Sequence, residues 1–293
     1  MTKQSLSRLS QCPVFLRLGV FIFTLLVIWV PVAGPIYFVI ASLGGTPDSI
    51  RNTASILTLL LLYTEFIWLV RFWGRRVYGQ PDLLWRYGLE FTRRSGLELL
   101  TGLAIGVFSL FALFGTQGIW GWVVWKVPSA SFLRILLEGG LVSLGLGFAE
   151  ELLFRGWLLD ELQRDYRPGM ALWMSAGIYA ALHFIKPLEE LLRTIITFPA
   201  LLLLGATLVW AKRSRSSWED GFWRGRLGLP IGLHAGLVWG YYIVNVGQLI
   251  EYSNQAPAWI TGIDRNPLAG IMGLLFLTLL FLAMKRQAVK ISC

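Results

Sequence analysis

Residues 145–156, Gly-Leu-Gly-Phe-Ala-Glu-Glu-Leu-Leu-Phe-Arg-Gly, place two adjacent carboxylates and an arginine inside an apolar, glycine-rich segment. A charge at membrane depth costs roughly 2.5 to 3.5 kcal/mol on insertion scales, so ionisable groups this close together indicate a specific purpose. On a helix, Glu151 and Arg155 are one turn apart and can neutralise each other, whereas Glu150 points about 100° away from Glu151. We therefore expect Glu150 to be the carboxylate that is available for chemistry.

The composition predicts an all-α, polytopic membrane protein. The chain has 293 residues, of which 55% are hydrophobic, with 14 Trp and a mean hydropathy of +0.61. Such a chain is too apolar for an ordinary soluble fold. The formal net charge is +9, but the basic residues lie at the ends of apolar runs rather than in one patch. We expect contact with the lipid bilayer and none with nucleic acid.

Eight segments are long and apolar enough to be transmembrane helices, since a span needs about 20 residues. Nineteen basic residues lie at the two termini and in the second, fourth and sixth loops, against six in the other loops. This bias predicts that both termini are cytoplasmic. We expect a single membrane domain over 1–293, with spans one to three in 1–130, the core with the ionisable motifs in 131–250, and the last loop, final span and tail in 251–293. The predicted spans are 18–40, 54–72, 97–119, 133–158, 169–186, 194–211, 229–249 and 267–284.

The chain has two cysteines, Cys12 and Cys293, one near each end. Both ends are predicted to be cytoplasmic, where disulfides are rare. We therefore expect no disulfide and no role for thiolates in redox chemistry or metal binding.

The chain also has only two histidines, His183 and His234, and both fall inside predicted spans. With a rise of about 1.5 Å per residue, the predicted topology puts Glu150, His183 and His234 roughly 8 to 20 Å from the cytoplasmic face. Spans four, five and seven are therefore expected to form a polar site in the core of the bundle. A purely structural polar network is the alternative to a catalytic site.

Three ordered elements of the chain resemble those of the membrane-embedded CAAX prenyl endopeptidase and bacteriocin-processing family, which includes the type II CAAX endopeptidases. The elements are Glu150-Glu151-x-x-x-Arg155, Tyr179-x-x-x-His183, and a further helix bearing His234. The resemblance covers residues 131–250. It implies a fold of about eight helices and an intramembrane glutamate-type endopeptidase.

The resemblance also implies the catalytic roles. Glu150 is expected to be the general base that activates water, with His183 helping to hold and polarise that water, and His234 is expected to belong to the oxyanion site. A carboxylate within the membrane suits a base that must later return a proton to the leaving amine. A histidine donor that faces developing negative charge supplies the electrostatic stabilisation that dominates many acyl-transfer sites.

The remaining motif residues are expected to support these three. The resemblance implies a structural ion pair between Glu151 and Arg155 and a supporting, packing aromatic at Tyr179. One position departs from the family pattern, because Val238 stands four residues after His234, where the family commonly has Asn or Asp. A valine side chain cannot donate a hydrogen bond to an oxyanion.

Two other functions remain open. A zinc peptidase would use Glu150, Glu151, His183 and His234 as ligands, but the chain has no His-Glu-x-x-His helix and Arg155 would repel a cation beside them. We therefore expect no cofactor, with zinc as the less favoured alternative.

The second alternative is a membrane protein without enzymatic activity, such as an immunity factor, a scaffold or a transporter. Val238 is the sequence feature that favours it. For the enzyme, the expected partner is a membrane-embedded or lipidated peptide or protein, and the sequence does not specify which.

Overall fold

The protein is described by a computed structural model that covers residues 7–292 apart from 45, 220 and 221. Lys3, one of the N-terminal basic residues in the charge count, and Cys293 lie outside the described residues. The described chain consists almost entirely of helices, with two short antiparallel ribbons of two strands each. The expected all-α class is confirmed.

The chain divides into two compact units, one ending at Arg86 and the other starting at Tyr87. In the first unit, Phe21 packs edge-on against Phe66 and Trp73, with ring centroids 5.8 and 5.3 Å apart. These contacts join its two long helices. The elements are α1 (Val14–Ser42), α2 (Pro47–Trp73), a π-helical turn (Gly74–Tyr78) and α3 (Leu83–Arg86).

The second unit contains all the motif residues. Strand β1 pairs with β4, and β2 pairs with β3. The helices and strands are α4 (Arg93–Ile119), β1 (Val123–Trp125), α5 (Phe132–Glu151), a π-helix (Leu152–Leu158), α6 (Leu159–Asp165), α7 (Pro168–Leu182), α8 (Leu188–Thr194), α9 (Phe198–Arg213), β2 (Ser216–Glu219), β3 (Phe222–Gly225), α10 (Gly228–Asn245), β4 (Ile250–Tyr252), α11 (Ala258–Thr261) and α12 (Ile271–Ser292).

Six helical segments of the described chain are long and apolar enough to cross a membrane. At the predicted spans five and seven lie α7, with 15 residues, and α10, with 18 residues. At about 1.5 Å per residue, α7 is roughly 22 Å long, shorter than a hydrocarbon core of about 30 Å. The polytopic membrane class is confirmed, and the count of eight spans stays a prediction. The six segments are Val14–Ser42, Pro47–Tyr78, Arg93–Ile119, Phe132–Asp165, Leu188–Arg213 and Ile271–Lys290.

Helix α10 packs directly against α4 through glycines that recur at every fourth residue. A Cβ atom at Gly232 would overlap the carbonyl oxygen of Leu99, and one at Gly236 would overlap that of Leu103. Small residues at this spacing allow two helix backbones to touch within a membrane. The glycines of this seam are Gly102 and Gly106 on α4 and Gly228, Gly232, Gly236 and Gly240 on α10.

The start of α10 is fixed by two contacts to neighbouring segments. The guanidinium of Arg226 donates to both carboxylate oxygens of Glu98 on α4, at 2.9 and 2.6 Å. The amide of Leu227 donates to the carbonyl of Gly88 at 2.8 Å. Together with the glycine seam, these bonds set the height and rotation of α10, and therefore the position of His234 in its second turn.

We expect Gly232→Ala to destabilise the protein, because the added methyl group has no space between α10 and α4. Overpacking of this kind costs about 1–3 kcal/mol. The matched control is Gly145→Ala on α5, where a Cβ atom would meet nothing within 4 Å. Unfolding by detergent titration should show a loss for Gly232→Ala alone. Equal stability of the two variants would contradict the close packing of this seam.

Candidate active site

The two motif glutamates lie at the end of α5, next to a change in helix geometry. Glu151 is the last residue of α5, and Leu152–Leu158 continue it as a π-helix. Turns of this type are rare and are found frequently at functional sites. Arg155 lies inside the π-helix, so the Glu-Glu-x-x-x-Arg element spans the junction between the two helix types.

Glu151 and Arg155 form the ion pair that their spacing predicts. Nη1 of Arg155 lies 2.9 Å from Oε1 of Glu151, and the two side chains are 1% and 0% exposed. The guanidinium also donates through Nη2 to the carbonyl of Gly205 on α9, at 3.1 Å. Two charges so deeply buried are stable only when they are paired in this way.

His234 joins the two glutamates. Its Nδ1 lies 2.9 Å from Oε1 of Glu151, and its Nε2 lies 3.8 Å from Oε2 of Glu150. Because a carboxylate can only accept, Nδ1 carries a hydrogen and donates it to Glu151. The bond fixes the orientation of the imidazole and directs Nε2 toward Glu150. Sequence spacing predicted neither contact, since 83 residues separate Glu151 from His234.

Tyr179 lies at the centre of the cluster. Its side chain is only 1% exposed, and its hydroxyl interacts with the carboxylate of Glu150. The guanidinium of Arg155 sits over its ring, 4.4 Å from the centroid. The rings of His183 and His234 meet it edge-on, with centroids 4.6 and 6.3 Å away. Tyr179 therefore touches the residues of all three sequence elements.

His183 follows the last residue of α7 and caps that helix. Its Nδ1 lies 2.8 Å from the carbonyl oxygen of Tyr179. A carbonyl only accepts, so Nδ1 is the protonated nitrogen and Nε2 is left with a lone pair. His183 is half-buried and reaches the other site residues through the ring of Tyr179. The structure thus brings Glu150, His234 and His183 into one region of the second unit.

The two glutamates differ in their surroundings. Oε1 of Glu151 accepts hydrogen bonds from both Arg155 and His234. The side chain of Glu150 is 20% exposed, against 0% for Glu151. Oε2 of each is buried without a hydrogen-bond partner in the part of the chain that the structure describes. Glu150 is therefore the more accessible of the two carboxylates.

An apolar cavity of about 260 Å³ opens beside His234, between α4, α9, α10 and α12. Val238 lines it one turn above His234. Asn245, farther along α10, donates instead to the hydroxyl of Tyr241 at 3.2 Å. The lining is mainly aliphatic and includes Leu110, Leu113, Leu204, Leu237, Phe276, Leu277 and Leu280.

Sequence reasoning missed two residues of α9 that hold Arg155. Gly205 accepts from its guanidinium, and Lys212 donates from Nζ to the Arg155 carbonyl at 2.7 Å. The sequence predicts Lys212 to be one of the cations of the sixth loop that flank the membrane, yet it is only 4% exposed. Its position after a long apolar helix gives no signal of burial.

The donor groups of the site are not arranged as a metal centre. Within the described ranges, no three side chains of His, Cys, Asp or Glu are grouped so that they could hold a metal ion. The cation that contacts Glu151 is the guanidinium of Arg155, at 2.9 Å from Oε1. A positive charge so close to a candidate ligand disfavours zinc there.

Comparison with known proteins gives one finding. Residues 132–251 match the family model described as Type II CAAX prenyl endopeptidase Rce1-like. No curated protein and no solved structure matches the chain. All the residues of the cluster, from Glu150 to His234, fall inside the matched range. The chain is therefore an integral membrane protein whose residues 132–251 match the Rce1-like domain of the type II CAAX prenyl endopeptidases, a family of proteases.

Proposed function

We propose that this protein is an intramembrane endopeptidase that hydrolyses a peptide bond with water activated by Glu150. The observation that carries the proposal is the buried chain of contacts from Arg155 through Glu151 to His234, whose Nε2 lies 3.8 Å from the carboxylate of the partly exposed Glu150. These contacts hold a histidine and a second carboxylate side by side, as water-dependent acyl transfer requires.

The two glutamates have different roles, one structural and one catalytic. Glu151, fully buried and bonded to both Arg155 and His234, orients the histidine. Glu150 has the partly exposed side chain, at 20% against 0% for Glu151, so we assign it as the base. It removes a proton from water as the oxygen attacks the substrate carbonyl carbon. When the C–N bond breaks, Glu150 returns that proton to the departing amine.

The histidines stabilise the two oxygens of the reaction. Nδ1 of His183 is committed to the Tyr179 carbonyl, so Nε2 accepts a hydrogen of the attacking water. Nδ1 of His234 is committed to Glu151, so Nε2 is a donor to the oxyanion only when the imidazole is doubly protonated. A charged donor of this kind strengthens as negative charge develops on the carbonyl oxygen.

The apolar cavity beside His234 supports a membrane-associated or lipidated substrate. Its volume of about 260 Å³ and its aliphatic lining suit a hydrocarbon chain or an apolar side chain. With both termini in the cytoplasm, the cleaved bond would lie toward the cytoplasmic side of the bilayer. We propose no metal cofactor, because the guanidinium of Arg155 already neutralises Glu151, one of the four candidate ligands.

We expect Glu150→Gln to reduce turnover by about 10²–10⁴-fold, because an amide cannot take the proton from water. The measurement is cleavage of a prenylated CAAX peptide, and of an unlipidated transmembrane peptide, by protein in liposomes. The matched control is Glu138→Gln on the same helix, whose carboxylate is 49% exposed and pairs with Arg134.

Chelation provides a second arm of this experiment. Activity should persist in chelator-treated protein whose metal content has been measured. Loss of activity with chelator and recovery with zinc would contradict the metal-free mechanism. Comparing membrane peptides in cells that carry the wild type and Glu150→Ala would then identify the natural substrate.

Arg155→Met should destabilise the protein by about 3–5 kcal/mol, because it leaves the Glu151 charge buried without its partner. Arg134→Met breaks a pair of the same spacing on α5, but that pair is exposed, at 78% and 49%. It should change stability little, since exposed pairs are screened by solvent. Unfolding curves of the two variants in lipid measure the difference. Similar losses of stability in the two variants would show that burial does not increase the contribution of the Arg155–Glu151 pair.

Val238→Asn should raise turnover up to about tenfold, because it adds a hydrogen-bond donor one turn from His234. Val238→Leu, which adds volume without a donor, is the control and should give no gain. Peptide cleavage rates at saturating substrate measure the change. No gain from the asparagine would place residue 238 away from the oxyanion.

Val238 also favours a second candidate function, a membrane protein without turnover that retains the polar cluster. An immunity factor, scaffold or transporter of this kind would keep its function in cells when Glu150 is replaced by Gln. The enzyme would lose it. A cellular assay beside the cleavage assay therefore separates the two functions.

A further inference from the structure

Helix α9 holds both ends of Arg155. The carbonyl of Gly205 accepts from the guanidinium at 3.1 Å, and the ammonium of Lys212 donates to the backbone carbonyl at 2.7 Å. Gly205 and Lys212 are seven residues apart, two turns of the same helix. One rigid element therefore fixes the main chain and the side chain of Arg155 together.

The π-helix explains why Lys212 is needed at this carbonyl. The amide of Leu159 bonds to the carbonyl of Phe154, five residues earlier, and also to that of Gly156. Where a helix returns from five-residue to four-residue bonding, a carbonyl between the two patterns lacks a regular amide partner. The carbonyl of Arg155 lies at that point, and the Lys212 ammonium bonds to it.

The burial of Lys212 indicates a specific role. A lysine in the last turn of a membrane helix ordinarily extends its charge into water. The Lys212 side chain is instead 4% exposed, at a desolvation cost that a flanking cation would avoid. Arg213, the next residue, is also buried but donates to the carbonyl of Pro168 at 2.7 Å, away from Arg155.

We propose that Lys212 is a positioning residue of the active site. By holding the Arg155 carbonyl it sets the direction of the guanidinium, which orients Glu151 and, through Glu151, the Nδ1 hydrogen of His234. The three links are 2.7, 2.9 and 2.9 Å long and connect α9, the π-helix, α5 and α10. This inference rests on the proposed function for its effect on catalysis, but the coupling of Lys212 to His234 is independent of it.

The test uses the fact that the chain has only two histidines. Protein labelled with ¹⁵N-histidine in lipid gives imidazole signals from His183 and His234 alone, and His183→Gln assigns them. Lys212→Met keeps the length and the apolar stem but removes the ammonium. We expect it to shift or broaden the Nδ1 signal of His234, to lower kcat about tenfold as misplaced groups do, and to leave KM within about twofold.

Arg213→Met is the matched control. It removes a neighbouring buried cation from the same helix, so it should lower thermal stability while leaving the His234 signal and kcat unchanged. Lys212→Arg keeps a donor on a longer side chain, and should restore part of kcat and move the His234 signal back toward the wild type. If Lys212→Met fails to fold, Lys212→Arg tests the proposal instead. We then expect a shifted His234 signal and a reduced kcat relative to the wild type.

Two results would overturn the inference. One is a His234 signal and a kcat that are unchanged in the Lys212 variants. The other is the same change in Arg213→Met, which would make Lys212 a general packing residue. Absence of Glu150-dependent cleavage by the wild type would instead refute the proposed function, and the histidine spectra would still decide whether Lys212 acts on His234.

Discussion

The structure of the second unit depends on one requirement, that a carboxylate and a guanidinium buried away from water must satisfy each other. Glu151 and Arg155 are almost completely inaccessible, and an isolated charge in such a place would be prohibitively costly. Their pairing recruits other polar groups, because each has more hydrogen-bonding capacity than one partner can fill. Gly205 and His234 take part of that capacity, so the pair joins three helices besides its own π-helix.

Close backbone contact makes this network possible. The glycine seam brings α10 against α4, and Gly147 lets the other side of α10 approach α5 near Ala235. His234 consequently lies within bonding distance of Glu151. Larger residues at these crossings would move α10 outward, and the imidazole would no longer reach the carboxylate. Packing and chemistry therefore share the same helix.

The site also shows how two adjacent carboxylates acquire different properties. Successive residues of a helix point about 100° apart, so Glu151 faces the interior while Glu150 stays partly exposed. Burial and bonding to Arg155 and His234 make the first a structural anion. If the protein hydrolyses peptides as we propose, Tyr179 is well placed to hold the two histidines relative to Glu150, since its ring contacts both.

The sequence by itself determined the membrane class, the Glu151–Arg155 pair and the resemblance of residues 131–250 to a protease family, because hydropathy, a four-residue helical spacing and short ordered motifs are all local properties. It also showed that Val238 departs from the Asn or Asp of the family pattern. It predicted that Glu151 pairs with Arg155 while Glu150 stays available for chemistry. Only the tertiary structure decided that His234 bonds to Glu151, that a π-helix follows the glutamates, and that Lys212 is buried against Arg155. Those contacts join residues that are distant in the chain, and their distances depend on helix crossings rather than on any local pattern of side chains.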